Sequence, residues 1–405
     1  MELKRLFSEA LGLEAPWRVT KIEFTPEKRR LDITIDFPPG SQFPCPECGA
    51  VGAKAYDTSW EEWRHLDFFQ YAAYLHARVP RVQCPQGCGV KKVPVPWARR
   101  GSGFTLLFEA LIMALVREMP VAAVAKLIGE HDTKLWRVLH HYVEEARAKV
   151  DFSQVRKVGV DETASRRGHN YISLFFDPEA KRLVFGTEGR GAETVGQFVR
   201  DLEAHGGSAT AVREVCCDMS PAFIAGVRRY LPEAEITFDR FHIMKVMNEA
   251  VDEVRREEAK ETGILKRTRY LWLKNPVKLG MDQKRKLEEL KRHHLKTARA
   301  YQIKLTLAEL FEQPSREEGE RFLKRWYFWA THSQLKPVVE AARTIKRHWE
   351  GILNWFESKL TIGFLEGVNS LLQAAKARAR GYRSVRNLIA MAYLLAGKLN
   401  FGLPT

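Results

Sequence analysis

Four cysteines constrain this 405-residue chain more than any other feature. Cys45 and Cys48 form the turn CPEC, Cys84 and Cys88 form CPQGC, and residues 49–83 separate the pairs. Two short-spaced pairs flanking a β-rich stretch can close tetrahedrally on one zinc ion, and four protein thiolates leave no open position, so such an ion would be structural. Two disulfides are the competing arrangement and suit an oxidising compartment. The start, MELKRLFSEALGLEAPW, lacks the continuous apolar run of a secretion signal, which favours reduced thiols and a cytoplasmic setting. Cys216 and Cys217 lie far away in an apolar run, where adjacent strand residues face opposite ways, and they read as packing residues.

Around the cysteines the pattern is β-like. RLDITIDF (30–37) alternates before a PPG turn, and YAAYLHARVPRVQC (71–84) alternates into the second knuckle. The period then becomes helical. FTLLFEALIMALV (104–116) is apolar but contains Glu109 and is too short to cross a bilayer, so it reads as a buried helix. MPVAAVAKLIGEHDTKLWRVLHHYVEEA (119–146) offers a helix from Pro120, a stop at Gly129 and a second helix from about Asp132, carrying Lys134, Trp136 and Arg137. Helix, short glycine turn, helix is the helix-turn-helix pattern, whose second member normally enters the major groove. Short helical hairpins are also common in proteins that bind nothing, so this stretch alone leaves DNA contact by Lys134 and Arg137 open.

From residue 155, VRKVGVDE, NYISLFFD and KRLVFGTE read as three hairpin-linked strands, followed by alternating helices and strands: a mixed sheet. Three of its strands end on acid. Asp161 closes KVGVD, with Glu162 beside it; Asp218 closes REVCCD and Asp239 closes AEITFD. Such ends lie at one edge of an α/β sheet, where sites form. Carboxylates brought together repel, and a divalent cation that prefers oxygen ligands relieves them, so the acids read as magnesium ligands. Helix N-capping is the structural alternative for Asp218 and Asp239.

A fourth acid lies in GFLEGVNSLLQAAKARARGYRSVRN (363–387). Counting from Glu366, residues Asn369, Gln373, Lys376 and Arg380 recur on one helical face, acid at one end and base at the other. That face could send its carboxylate toward metal and Lys376 and Arg380 toward phosphate, or it could simply be solvated. Lys and Arg number 65 against 50 Asp and Glu, a formal charge of +15 that suits a polyanion. Lys284, Arg285, Lys291 and Arg292 concentrate part of it in a helical stretch after residue 245, where they would neutralise phosphates.

Taken together, CPEC…CPQGC, the helix-turn-helix, VGVDE, CCDMSPAF, TFDRFHIMK and GFLEGVNSLLQAAKARARGYRS resemble the bacterial insertion-sequence transposases of the ISL-three type, DDE enzymes with a ribonuclease-H-like core. The resemblance runs from about residue 40 to 400, in the family's motif order. Two departures are ARARGYRS, where relatives are often more Lys-rich and end in YG, and IGFL before the glutamate; neither removes an acid. The resemblance implies Asp161 and Asp218 as catalytic aspartates, Glu366 as catalytic glutamate and Asp239 as an auxiliary acid. It implies two catalytic Mg²⁺ ions, one structural Zn²⁺, double-stranded DNA (terminal repeats and target) as partner, and a homodimer that joins two element ends.

The expected organisation is an α/β multidomain chain. Residues 1–100 form a zinc-binding β-rich unit, 101–150 a helix-turn-helix, and 151–245 the first part of a ribonuclease-H-like mixed-sheet core. Residues 246–350 form a basic helical insertion, and 351–405 return to the core with Glu366. Residence in the bacterial cytoplasm, with the nucleoid, follows. Two alternatives stand: a DNA-binding regulator with an inactive transposase core, and a structure-specific nuclease on the same fold.

Overall fold

The architecture comes from a computed structural model that describes residues 2–166, 168–360 and 363–404. The chain forms two compact units, Met1–Ala146 with Asn400–Thr405, and Arg147–Leu399. Among the described residues, no helix is long and apolar enough to cross a membrane.

In the first unit, helix α1 (Glu2–Ala10) precedes strands β1 (Arg18–Thr25), β2 (Arg30–Asp36), β3 (Gln42–Phe43), β4 (Ala53–Arg64), β5 (Ala72–Gln83) and β6 (Val90–Lys92). They form one sheet in the order β1-β2-β5-β4-β3, with β6 also on β5. The alternation expected for β2 is observed: Leu31, Ile33 and Ile35 point inward, as do Leu75, Ala77 and Val79 of β5. Trp17, Phe37, Phe43, Trp63 and Trp97 fill the same core. The first cysteine knuckle lies between β3 and β4, and the second lies between β5 and β6.

Three helices follow: α2 (Leu106–Glu118), α3 (Val121–Ile128) and α4 (Asp132–Ala148). Gly129 closes α3 in the left-handed region at φ 70°, where glycine carries no steric cost. Leu135, Val138, Leu139, Tyr142 and Val143 form the buried stripe of α4 at helical spacing. Glu109 is fully buried, as the apolar run around it requires. Its carboxylate accepts from Arg99 at 2.9 Å, from Ser102 Oγ at 2.6 Å and from the Tyr142 hydroxyl at 3.0 Å. A buried charge survives only when paired in this way.

The second unit is built on β7 (Lys157–Arg166), β8 (Asn170–Asp177), β9 (Arg182–Glu188), β10 (Glu214–Cys217) and β11 (Glu235–Phe238), in the order β11-β10-β7-β8-β9. β7, β8 and β9 pair antiparallel, while β10 lies parallel to both β7 and β11. Cys216 and Cys217 are buried in β10 as packing residues. Helices α5 (Ala192–Ala204) and α6 (Pro221–Tyr230) supply the crossovers. They approach closely because Gly226 lies against Val195 and the Ala192 backbone, where a Cβ would meet atoms at 2.7 Å.

A helical stretch then runs from α7 (Arg240–Glu258) through α8 (Arg269–Leu273), α9 (Met281–Lys291), α10 (Lys296–Ala308), α11 (Arg316–Thr331) and α12 (Lys336–Arg347) to α13 (Trp349–Leu353) and α14 (Trp355–Ser358). Its core is continuous with that of the sheet and includes Trp272, Tyr301 and Trp326. Two helices complete the unit, α15 (Gly363–Arg378) and α16 (Val385–Ala396). The Tyr393 hydroxyl of α16 accepts from the Gly186 amide of β9 at 3.0 Å.

Candidate active site

β10 and β11 each stop one residue before an aspartate, so Asp218 and Asp239 leave the sheet at the C-terminal ends of two parallel strands. β10 pairs with β7 only as far as Cys216 against Gly159, and Asp161 lies just beyond that point. The strand itself does not end there, contrary to the sequence reading. β7 continues to Arg166 because residues 161–166 keep pairing with β8, up to Arg166 against Asn170. What ends at Asp161 is the parallel flank of the sheet.

Asp239 is 3% exposed and caps α7, accepting from the Phe241 amide at 3.0 Å. The capping alternative therefore describes Asp239. Asp218 instead accepts from the Ser220 amide at 3.0 Å in a tight turn, and Ser220 occupies the cap position of α6.

Glu366 sits in the first turn of α15. One turn on, Asn369 donates from Nδ2 to Asp161 Oδ2 at 2.6 Å. Gln373 donates to Thr163 Oγ1 at 2.6 Å, and Lys376 Nζ donates to the Ala164 carbonyl at 2.6 Å. This part of the polar face is laid on β7 and is not a solvated surface. Burial also lowers the Lys376 pKa. Arg380 departs from the expected face because α15 stops first. The Arg380 amide bonds the Ala377 carbonyl at 3.0 Å and the Gly381 amide bonds Lys376 at 2.8 Å, with Arg380 left-handed at φ 55°. This is a Schellman stop, and it leaves Arg380 exposed in the turn.

Electrostatics link the acids. Burial pushes the Asp161 carboxyl up to about 6; the Glu162 amide and His242 oppose the rise, and Asp218 and Glu162 add to it. Glu162 is raised by burial and by Asp218. Glu366 is raised by burial and by Asp239, against His242. Burial works against charge on His242, but Asp239, Asp161 and Asp218 outweigh it and raise its pKa. His242 thus feels both halves of the cluster, and sequence reading assigned it no role. Its place three residues after Asp239, one turn into α7, was the available signal. Its Nδ1 lies 3.6 Å from Asp239 Oδ2. Among the described residues, no three acids of this cluster bring their oxygens within 4.8 Å of one another.

The four cysteines do converge: the Sγ atoms of Cys45, Cys48, Cys84 and Cys88 all lie within 4.8 Å of one another. Gly49 at φ 74° and Gly87 at φ 86° turn the two knuckles. Amides of Cys88 and Gln86 hold the Cys84 thiol down to about 6, while Cys84 and Cys48 push Cys88 up to about 12, so the four thiols can all ionise only around a shared cation. Soft tetrahedral sulfur donors fit zinc. A second convergence, Asp32, Glu62 and His76 on the sheet, already holds a cation, since the Arg30 guanidinium lies 2.7 Å from each carboxylate. On α4, Arg137 is exposed, whereas Lys134 is held by Glu130 at 2.8 Å.

Thiol knuckles, a helix-turn-helix and a mixed sheet with an acid-lined edge define a nucleic-acid-handling class of protein. Residues 158–392 match a family model described as a transposase, of the DDE ISL3 type. Residues 93–143 match the helix-turn-helix domain of transposase family ISL3, and 41–88 match the zinc-finger of the IS204/IS1001/IS1096/IS1165 transposases. The chain belongs to the ISL3 family of insertion-sequence transposases. It is 30% identical over 384 residues to the transposase for insertion sequence element IS1557 of Mycobacterium tuberculosis, covering 86% of each chain. It is 27% identical over 397 residues to the transposase for IS1001 of Bordetella parapertussis, covering 94% of this chain and 95% of that one.

Proposed function

We propose that this chain is a magnesium-dependent DNA transposase that recognises the terminal repeats of its own element and cuts and rejoins strands at Asp161, Asp218 and Glu366. The observation that carries the reading is the gathering of the acids: burial and then Asp218 and Glu162 raise Asp161, burial and then Asp239 raise Glu366, and Asn369 on α15 bonds Asp161 on β7 at 2.6 Å. Carboxylates gathered in one neighbourhood and only partly countered by His242 form an oxygen donor set, which fits magnesium rather than a softer metal. Bound there, two magnesium ions would activate the attacking oxygen and stabilise the leaving oxygen of an in-line displacement at phosphorus.

The chain's own residues do the rest. Asn369 orients Asp161, and Asp239 fixes the start of α7, from which His242 faces the acids. Three antiparallel strands followed by two parallel ones beside the first support a ribonuclease-H-like core made of 151–245 and 351–405. On this reading 246–350 is a basic insertion, 1–100 holds one structural zinc through Cys45, Cys48, Cys84 and Cys88, and 101–150 reads DNA with Lys134 and Arg137. Arg380, in its exposed turn, is available to phosphate; Lys376 serves β7 first. Two ends must be joined together, so the working form is a homodimer on nucleoid DNA in the cytoplasm.

An assay of 3′-end cleavage and joining on terminal-repeat DNA tests the proposal. Asp161→Asn, Asp218→Asn and Glu366→Gln are each expected to abolish both steps while sparing end binding. Full activity in Glu366→Gln would move the third acid to Glu162 or Asp239. Wild-type protein that binds ends but never cuts, with any divalent metal, would mark a regulator.

A further inference from the structure

A cavity of about 690 Å³ opens between α6, β11 and the α12–α13 junction. Its position relates it to the acids through the chain. Pro221 on its wall is three residues after Asp218, and Phe238 beneath its floor immediately precedes Asp239. Three residues span about 10 Å at most, so the cavity begins beside the same sheet edge.

Its lining is charged on one side and flat on the other. Arg228 comes from the last turn of α6, and Lys346 and Arg347 come from the last turn of α12. Cations in a final helical turn are ordinary, since they answer the helix dipole. Here they meet across one cavity, and the single acid on its wall, Glu350, is already held by Arg316 at 2.9 Å. The floor is Ile224 and Ile236, with Phe238 and Trp349 buried beneath it, and Lys346 Nζ lies 4.1 Å from the Trp349 ring centroid. His348 Nδ1 bonds the Thr344 carbonyl at 2.8 Å, so it carries the proton and leaves Nε2 as an acceptor. Nor is the cavity a groove for strand addition to β11. Gly351 is pressed so close that a Cβ would meet Phe238 at 2.4 Å, and Asn354 donates to the Ile236 carbonyl at 3.0 Å.

We propose that this cavity is a single-strand subsite. It holds the DNA strand a nucleotide or more away from the reacting phosphate, with the backbone on Arg228 and Arg347 and the base over the apolar floor. A groove of cations tracks the backbone of an unpaired strand, and an apolar wall accepts any base without reading sequence. The proposal rests on the acids at that edge being the reaction centre.

The test uses the full-length, zinc-loaded protein without magnesium, so that the acids' chemistry does not enter, and a fluorescent hexathymidylate as probe. Arg228→Glu with Arg347→Glu should weaken binding at least about tenfold and flatten its salt dependence. Ala225→Trp, at an exposed position of α6 on the cavity wall, fills the space without changing charge and should weaken binding comparably. Arg200→Glu, exposed on α5 outside the basic insertion, is the control and should change affinity less than about twofold. Melting curves confirm that each variant is folded. A 5-iododeoxyuridine probe should crosslink within residues 221–238 or 346–354.

Crosslinks elsewhere, or wild-type affinity in Ala225→Trp, would overturn the proposal. So would thymidine monophosphate binding as tightly as the hexamer, because the site would then hold a free nucleotide. If the pocket variants bind normally while Asp161→Asn abolishes cleavage, only the subsite falls. If they lose the strand while cleavage ignores Asp161, the acid assignment falls instead.

Discussion

Asp161→Asn should make the metal-free protein more stable at neutral pH although it removes a hydrogen-bonded acid. The folded carboxyl titrates at about 6 against an ordinary 3.8, chiefly because it is buried. At about 1.4 kcal/mol per pKa unit, ionising Asp161 in the fold costs roughly 3 kcal/mol. Between pH 4 and 6 the folded chain keeps a proton that the unfolded chain has lost, so stability is present below this window and is lost as pH rises through it. The substitution removes that slope. It also disturbs two bonds, from the Glu162 amide at 2.8 Å and from Asn369 at 2.6 Å. Asn369 can turn its buried, unpartnered Oδ1 toward the new amide, which limits the loss to about 1 kcal/mol. The variant should therefore be about 1 kcal/mol less stable at pH 4 and about 2 kcal/mol more stable at pH 7.5, with Tm raised by roughly 4–8 °C there. The assay is denaturation of the second unit in EDTA-treated, zinc-reconstituted protein across pH 4–8. Added magnesium should then stabilise the wild type and not the variant. A wild-type slope in the variant, or lower stability at pH 7.5, would refute the reasoning.

Cys45→Ser, or zinc chelation, should abolish the melting transition of the first unit while the second keeps its own, and metal analysis should fall from about one zinc per chain to none. Arg137→Ala should weaken terminal-repeat binding several-fold and lower the salt slope by about one, whereas Lys134→Ala should do less, since Glu130 already holds that ammonium at 2.8 Å. Equal effects of the two in fluorescence anisotropy would count against the difference. Glu109→Ala should cost the first unit about 3–5 kcal/mol in urea denaturation, because it leaves Arg99 and the Tyr142 hydroxyl without their acceptor.

Regular local patterns were legible in the sequence. Alternation in RLDITIDF and the glycine between α3 and α4 led to the observed elements because one face of each is buried and the chemistry is short-range. The acids were legible as strand-end residues, but their company was not. Asn369 meets Asp161 across 208 positions, a pairing that no local period encodes. β7 seemed to end on acid because two adjacent carboxylates, Asp161 and Glu162, look like loop, yet pairing with β8 carries it on to Arg166. The end of α15 was missed because a Schellman stop usually announces itself with glycine at the left-handed position, and here arginine takes it, with Gly381 one residue later.

The bond from Asn369 to Asp161 also sets an order in time. A ribosome that has delivered both cysteine knuckles, the helix-turn-helix and every strand of the sheet has not yet delivered α15, which begins only at Gly363. A chain cut short before that point carries the segments that engage DNA but lacks both Glu366 and the amide that orients Asp161. On the proposed function, premature stops and frameshifts upstream of α15 would yield products that occupy element ends without breaking them. Such fragments would compete with the intact enzyme, so decay of the gene would tend to silence neighbouring copies of the element rather than release uncontrolled cutting.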